Sequence, residues 1–440
     1  MKKMVLLFVL TASLLAGCDY SPAKLLAHLG SADAQLKLGK SYYSGEDVNQ
    51  DYIEAAKWYL RAAEQGNAEA QIHLGYMYYE GVGVEQDDSN AAFWYREAAK
   101  NNNAEAQYGI GFMYEEGIGV GQDFDEALKW YLKAAEQNNV DAQFSVGLMY
   151  ENGLAINQSY TEASKWYRKA AMQGSSQAQN NLGFLYEAGA GVERDYTEAI
   201  KWYRKAANQG NTEAKNNIGS MYFEGVALQR DYTKAKQWFK EAAEQGHTIA
   251  QSNLGSMYLE GQGGHQDYAK AIKWLTKAAE SGHARSQSNL AFMYFECMGV
   301  HPDYNKSLKW FKKAAERGYA SAQNGLGFMY DRGLGVKQDY VKALEWYQES
   351  ANQNFALAQN NIGFMYLEGN GVRQSFTDAA SWFAKAARQD NPIAQHNLGI
   401  MYAEGNGVPQ SYLEAKEWFG LACDNGYQAG CESYKELGTD

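Results

Sequence analysis

The chain is poor in proline, cysteine and positive charge, and each shortage narrows what it can be. Only four Pro occur in 440 residues, as expected where helices fill most of the length, because Pro lacks the donor a helix interior needs. Forty Lys and Arg stand against 52 Asp and Glu, a net charge of -12. That acid excess argues against nucleic acid and against adsorption to an anionic membrane face. Past Cys18 no apolar run approaches a membrane span. No carboxylate pair, Ser/His/Asp set or Cys/His pair stands above the repetitive background, and no K-T-G occurs anywhere.

What the chain has in abundance is repetition. Its Trp are Trp58, Trp94, Trp130, Trp166, Trp202, Trp238, Trp274, Trp310, Trp346, Trp382 and Trp418, each 36 residues after the last. Around each the text reads A-Q-x-x-L-G-x-M-Y-x-x-G-x-G-V-x-Q-D-Y-x-x-A-x-x-W-Y-x-K-A-A-x-Q-G. A fixed period of this length marks a solenoid, in which each unit buries its apolar face against its neighbours. The unbroken register overrides the two or three globular domains that such a length suggests and leaves no internal boundary. It points to binding rather than catalysis.

Within a unit, Ala68 to Gly81 reads as a first helix, with Ala70, Leu74, Met77 and Tyr78 on one face. Ala55, Trp58, Tyr59, Ala62 and Ala63 make the matching face of a second helix. Asp51, Asp87, Asp123, Ser159, Asp195, Asp231, Asp267, Asp303, Asp339, Ser375 and Ser411 are its N-caps, worth about 1 kcal/mol each. Gly66, Asn102, Asn138, Gly174 and their successors end it in the left-handed conformation. Gly75 lies in mid-helix, where Gly costs roughly 1 kcal/mol against Ala. Ten of eleven units keep that Gly and the other has Ala291, which predicts a backbone-close contact with an adjacent helix. No strand is left over. The expected fold is all-α, an α/α superhelical solenoid of 36-residue helix-turn-helix repeats.

The expected layout is a signal segment 1–17, a tether with half-helix cap 18–33, eleven repeats 34–429 and a capping helix 430–440. In the first cap Leu26 and Ala27 match Ala62 and Ala63; in the last, Tyr434 and Leu437 fall on the core stripe. Half-units at both ends should close the stack.

The blocks A-Q-x-x-L-G-x-M-Y, G-x-G-V and A-x-x-W-Y-x-K-A-A resemble the Sel-one-like repeat family, relatives of tetratricopeptide repeats, over about nine-tenths of the chain. The resemblance implies a superhelix whose concave face serves as an adaptor for proteins or peptides, with no common catalytic residue. Relatives in bacterial envelopes are secreted or lipid-anchored, and some mediate contact with host cells.

Lys2 and Lys3, the apolar run Met4 to Leu15 and the box Leu15-Ala16-Gly17-Cys18 resemble a bacterial lipoprotein signal. That implies cleavage before Cys18 and lipidation of its thiol; an ordinary secretory signal or a membrane anchor is the alternative. Removing the two Lys takes the net charge from -12 to -14. Asp19 resembles the signal that retains enterobacterial lipoproteins in the inner membrane. The expected location is the bacterial cell envelope, periplasmic or surface-exposed, with Cys18 the only membrane contact.

Cys423 and Cys431 replace the Ala63 and Gln71 positions, on consecutive helices across a tight turn. In an oxidising compartment that placement reads as a disulfide, with two free thiols the alternative. It resembles the C-x7-C staple of the cysteine-rich branch of the family. Cys297 occupies the Gly81 position as a departure from the pattern, or else as an intermolecular disulfide. His247, His265, His283 and His301 are spaced by half a period, so alternate members fall on opposite edges and cannot converge on one ion. They read as solvated turn residues. Neither metal nor cofactor is expected. The G-x-G-V turns follow a helix, unlike a dinucleotide fingerprint. Some cysteine-rich relatives are linked to β-lactam binding, and Ser21-Pro22-Ala23-Lys24 matches S-x-x-K. That match sits in the tether beside the expected lipid, with no K-T-G in the chain, and reads as chance. A penicillin-binding or β-lactamase-like envelope enzyme is the rival reading, disfavoured because nothing in the sequence converges on a nucleophile with a base.

A second ladder is the best functional candidate. On the first-helix flank one position reads Asn181, Asn217, Asn253, Asn289, Gly325, Asn361 and Asn397, and the position three residues on adds Phe112, Phe184, Phe292, Phe328 and Phe364. Asn is a poor interior helix residue, so its recurrence wants a cause. Its amide suits the backbone of an extended peptide and Phe supplies apolar pockets. Glu105, Asp141, Glu213, Glu224, Glu260, Glu368 and Glu404 border the flank, favouring a neutral or basic ligand. The alternative is that the Asn bond between neighbouring repeats. The expected partner is a protein or peptide.

Overall fold

The computed structural model describes residues 22–226 and 228–438. The signal segment, the lipidation expected at Cys18, Asp19 and Ser21 lie outside the described residues. Among those described there are 24 helices and no strand. Between Pro22–His28 at one end and Gln428–Glu436 at the other, every helix has 12 or 13 residues. No helix among them is long and apolar enough to cross a membrane. Two compact units make up the chain, residues 1–214 and 215–440. The division falls inside the helix Thr212–Glu224, where the 36-residue register carries no insertion.

Capping sets the helix boundaries in both units. All eleven N-caps of the second helices accept a backbone N–H, as Asp51 does from Glu54 and Ser411 from Glu414. The residues after these helices take positive φ, from 57° at Asp390 to 103° at Gly174.

In the first unit, Tyr59, Tyr131, Tyr167 and Tyr203 are the largest fully buried side chains. Each sits beside the recurrent mid-helix Gly of its own repeat. A Cβ on Gly39 would lie 2.7 Å from the Tyr59 ring, and one on Gly147 2.5 Å from Tyr167. The neighbour that demands Gly is therefore chiefly a ring, with a backbone carbonyl, such as Ala127 O beside Gly111 at 3.4 Å, behind it. Trp94, Trp130 and Trp166 are only half-buried. Lys133 lies 4.1 Å from the Trp130 ring centroid and Lys169 3.6 Å from that of Trp166, each covering an exposed face with its aliphatic stem and charge. Beside Trp130 and Trp166 it is the following Tyr that fills the core, whereas Trp58 and Trp202 are themselves buried.

The second unit repeats this with Phe239, Leu275, Phe311, Tyr347, Phe383 and Phe419. Here the exception explains itself. Ala291 stands in the Gly position beside Phe311, and that ring lies against Gly325 of the next repeat, where a Cβ would come within 2.6 Å. The extra methyl below is matched by a missing side chain above. Gly325 interrupts the Asn ladder for that reason.

The ends are less closed than the half-units led one to expect. Ala27 is fully buried and His28 packs edge-on against Trp58 at 4.9 Å. Leu26, at the register of the buried Ala62, is 53% exposed, and Leu29, at the register of the exposed Gln65, is 70% exposed. Tyr434, expected on the core stripe, is 42% exposed, and Leu437 is half-buried.

Candidate functional site

The Asn flank is half-buried rather than open. At His73 and at Gly325 the ladder position lies over the core ring of the repeat before it. In the first unit His73 stacks on Tyr59, centroids 4.9 Å apart and planes 19° from parallel. Asn181 accepts from Asn180 at 3.4 Å and donates to the Tyr167 hydroxyl. That hydroxyl donates to Glu151, as Tyr131 does to Glu115 at 2.6 Å. Burial, then the carboxylate beside it, pushes the ionisation of both phenols well above the usual range.

In the second unit the amides run between neighbouring first helices. Asn253 donates to Asn216 at 3.2 Å, Asn361 to Asn324 at 2.9 Å, Asn397 to Asn360 at 3.2 Å and Asn289 to Ser256 at 3.4 Å. Asn217 is half-buried at the same register. Beside them Phe184 and Phe292 are exposed, while Phe328 and Phe364 are half-buried. Phe292 meets Phe311 edge-on at 4.9 Å and Phe364 meets Phe383 at 5.3 Å. A recess of about 130 Å³ opens where Phe328, Asp331, Asn361, Phe364 and Glu368 meet. Burial, with Glu368 adding to it, raises the Asp331 carboxyl above its ordinary value. A second recess of about 170 Å³ is lined by Phe223, Glu224, Asn253, Ser256, Glu260 and Arg285. Asn, Phe and acid thus come together in the same places.

The Cys423 and Cys431 sulfurs are joined, Cα–Cα 4.5 Å. Cys297 is a free, exposed thiol. Its φ of 62° takes the left-handed role of Gly81, and its helix, Ala284–Phe295, ends one residue early. His247 and His283 are not merely solvated turn residues. Their Nδ1 atoms accept from Ala250 N–H at 3.2 Å and Ser286 N–H at 3.3 Å, capping first helices where other repeats use Asn or Ser. His265 and His301 are exposed turn residues. No group of three His, Cys, Asp or Glu among the described residues is placed to hold a metal ion.

Sequence reasoning missed the buried Gln of the A-Q pair. Gln143 donates to Ala135 O of the preceding helix at 3.2 Å, and its carbonyl accepts from Gln173 at 2.8 Å. Gln179 repeats both bonds, to Ala171 and from Gln209. One amide so ties three helices together. The recurrence of Gln in ten of the eleven repeats, with Lys215 the exception, was the available signal.

The Sel1 repeat profile matches the chain eleven times, from residues 32–67 through to residues 392–427. The chain belongs to the Sel1 repeat family. Among solved structures it is similar to an SLR-fold protective antigen of uropathogenic Escherichia coli strains. The two are 38% identical over 94% of this chain and 89% of that one, with a TM-score of 0.83. It is also similar to a Sel1 repeat protein of Oxalobacter formigenes, 33% identical over 56% of this chain and 96% of that one, with a TM-score of 0.52. A search of curated proteins returned no match. Sel1 repeat solenoids are typically protein-interaction scaffolds.

Proposed function

We propose that this Sel1 repeat protein is a lipid-anchored scaffold of the bacterial envelope that holds a protein or peptide along the flank of its first helices, in envelope assembly or host contact. The observation that supports this most is the exposure of Phe184 and Phe292 at one register, where a Phe gains nothing for its own helix. Phe328 and Phe364 share that register and line a recess rimmed by Asp331 and Glu368. Apolar anchors with acidic rims suit a basic or neutral extended chain. The carbonyl edges of the ladder Asn supply acceptors beside them. Two hydroxyl–imidazole pairs occur among the described residues, Ser286 with His283 at 2.9 Å and Ser433 with His396 at 3.2 Å, and their Ser are fully buried and half-buried, which disfavours catalysis there.

The test is affinity capture from envelope extracts with the full chain and with Phe184→Ala combined with Phe292→Ala and Phe328→Ala. Loss of a captured partner by a variant that still unfolds cooperatively is the expected result, with a modest fall in melting temperature because Phe292 and Phe328 pack on Phe311 and Phe295. Retention of that partner by the triple variant moves the site off this flank. Hydrolysis of nitrocefin or peptidoglycan by the purified protein would establish the rival enzyme instead. Cys18→Ala should shift the protein from the membrane fraction to a soluble or unprocessed form, and unchanged fractionation refutes the anchor.

A further inference from the structure

The ladder position opens once in the first unit, at Gly109, and something else happens there. Tyr59, Tyr131, Tyr167 and Tyr203 are fully buried beneath their ladder residues, but Tyr95 at the same register is only half-buried. With no side chain on Gly109 to cover it, the Tyr95 ring has risen from its own Gly. A Cβ on Gly75 would stand 3.0 Å from it, against 2.7 Å for Gly111 and Tyr131, while one on Gly109 would come within 2.8 Å. The space left is a recess of about 330 Å³, walled by Tyr76, Tyr79, Tyr95, Tyr108 and Phe112 with Glu105 at its edge. Five aromatic side chains and a carboxylate line one opening, a lining whose chemistry suits a cation.

The neighbouring repeat indicates what Glu105 lacks. Glu69, one repeat earlier at the same position, is paired with Lys40 at 2.5 Å. The residue that would pair Glu105 in the same way is Tyr76, since Lys40 and Tyr76 are one period apart. Glu105 forms no salt bridge among the described residues. The lysine has been exchanged for an aromatic wall, and the carboxylate kept. Elsewhere the chain itself sets ammonium groups over rings, as with Lys169 on Trp166 and Lys205 on Trp202 at 3.9 Å.

We infer that the recess bounded by Tyr76, Tyr95, Tyr108, Phe112 and Glu105 is a binding site for a lysine side chain of the bound polypeptide, its ammonium on Glu105 and its stem between the rings. This rests on the reading that the first-helix flank takes a polypeptide. It adds a register: one cation of the partner is seated in the third repeat.

The experiment uses the full-length chain and two synthetic peptides, acetyl-Gly-Lys-Gly-amide and its norleucine counterpart, followed by NMR titration of the protein. The lysine peptide should bind about 3- to 10-fold more tightly than the norleucine one, the range a cation over aromatic rings supports. Glu105→Gln should remove that preference. Tyr76→Lys should abolish binding by supplying the internal cation found one repeat earlier. Gly109→Asn should abolish it by closing the recess, and six sister repeats already carry Asn there. Unchanged melting temperature keeps each variant interpretable. Equal binding of the two peptides, or binding that survives Tyr76→Lys, overturns the assignment. Saturation by tetramethylammonium with neither peptide bound overturns it in favour of a free organic cation. Partner capture by the Phe variants is read separately, so loss of this site and loss of the flank remain distinguishable.

Discussion

At the scale of single residues, the ladder Asn show how one side chain can carry two readings. Asn253, Asn361 and Asn397 each donate to an Asn of the preceding first helix. Changing all three to Ala gains helix propensity, roughly 0.5 kcal/mol apiece, and loses hydrogen bonds worth about 0.5–1.5 kcal/mol apiece. The melting temperature of the triple variant should therefore fall modestly; a rise would mean that these bonds contribute nothing to the fold. His283 carries a pH dependence. Burial, then the Arg285 charge, holds its ionisation below the usual 6.5, and its cap needs the unprotonated Nδ1. With the folded value below the unfolded one, its contribution is complete above about pH 6.5 and is lost as pH falls through the folded value. His283→Asn keeps an acceptor without the proton, so urea midpoints measured between about pH 8 and 5 should decline less steeply. An equal decline would show that His283 is not a source of it, leaving His73 and His396, whose ionisation burial also lowers.

Helices and their ends were largely legible in the sequence, because caps and periodicity are local. Asp51 or Ser411 declares a start, and Gly66 or Asn102 an end, within three residues of chain. Partners about 30 to 37 residues away leave no such trace. Gln143 lies beside the apolar stripe and adds nothing to its period, yet it binds two other helices. The Asn ladder was visible as a ladder, but its acceptors, one repeat back, were not. The helical face carries Trp and the aromatic after it alike, and only the packing shows that Tyr131 and Tyr167 are fully enclosed while Trp130 and Trp166 are half-buried. Cys297 gives a test at this scale. A non-Gly residue in the left-handed region costs roughly 1–2 kcal/mol, so Cys297→Gly should raise the melting temperature. No change would mean that the local turn has already relaxed around the thiol.

For the whole molecule, the repeat register was readable at once, whereas the state of the ends was not. Leu26 and Tyr434 are exposed, although sequence register alone assigns both to the core. Within each unit a helix packs chiefly on the helix before and the helix after, and the Asn bonds of the second unit add a link to the first helix one repeat back. What distinguishes the repeats is the small set of positions where one departs and its neighbour answers.

Ala291 and Gly325 are such a pair, and they limit how the gene can lose or gain copies. Tandem DNA repeats recombine out of register, and each event removes or adds whole 36-residue blocks. Excising residues 356–391 leaves Phe311 between Ala291 and Gly325. Excising residues 320–355 removes Gly325 and brings Asn361 over the same ring, which already has a methyl group beneath it. Both products have the same length and the same number of repeats. The first should fold with a melting temperature near the parent's, and the second several degrees lower, which thermal unfolding of the two would decide. Copy number in this array is therefore heritable only in certain steps: a lineage can shorten or lengthen it freely on either side of residues 284–355, but not through them.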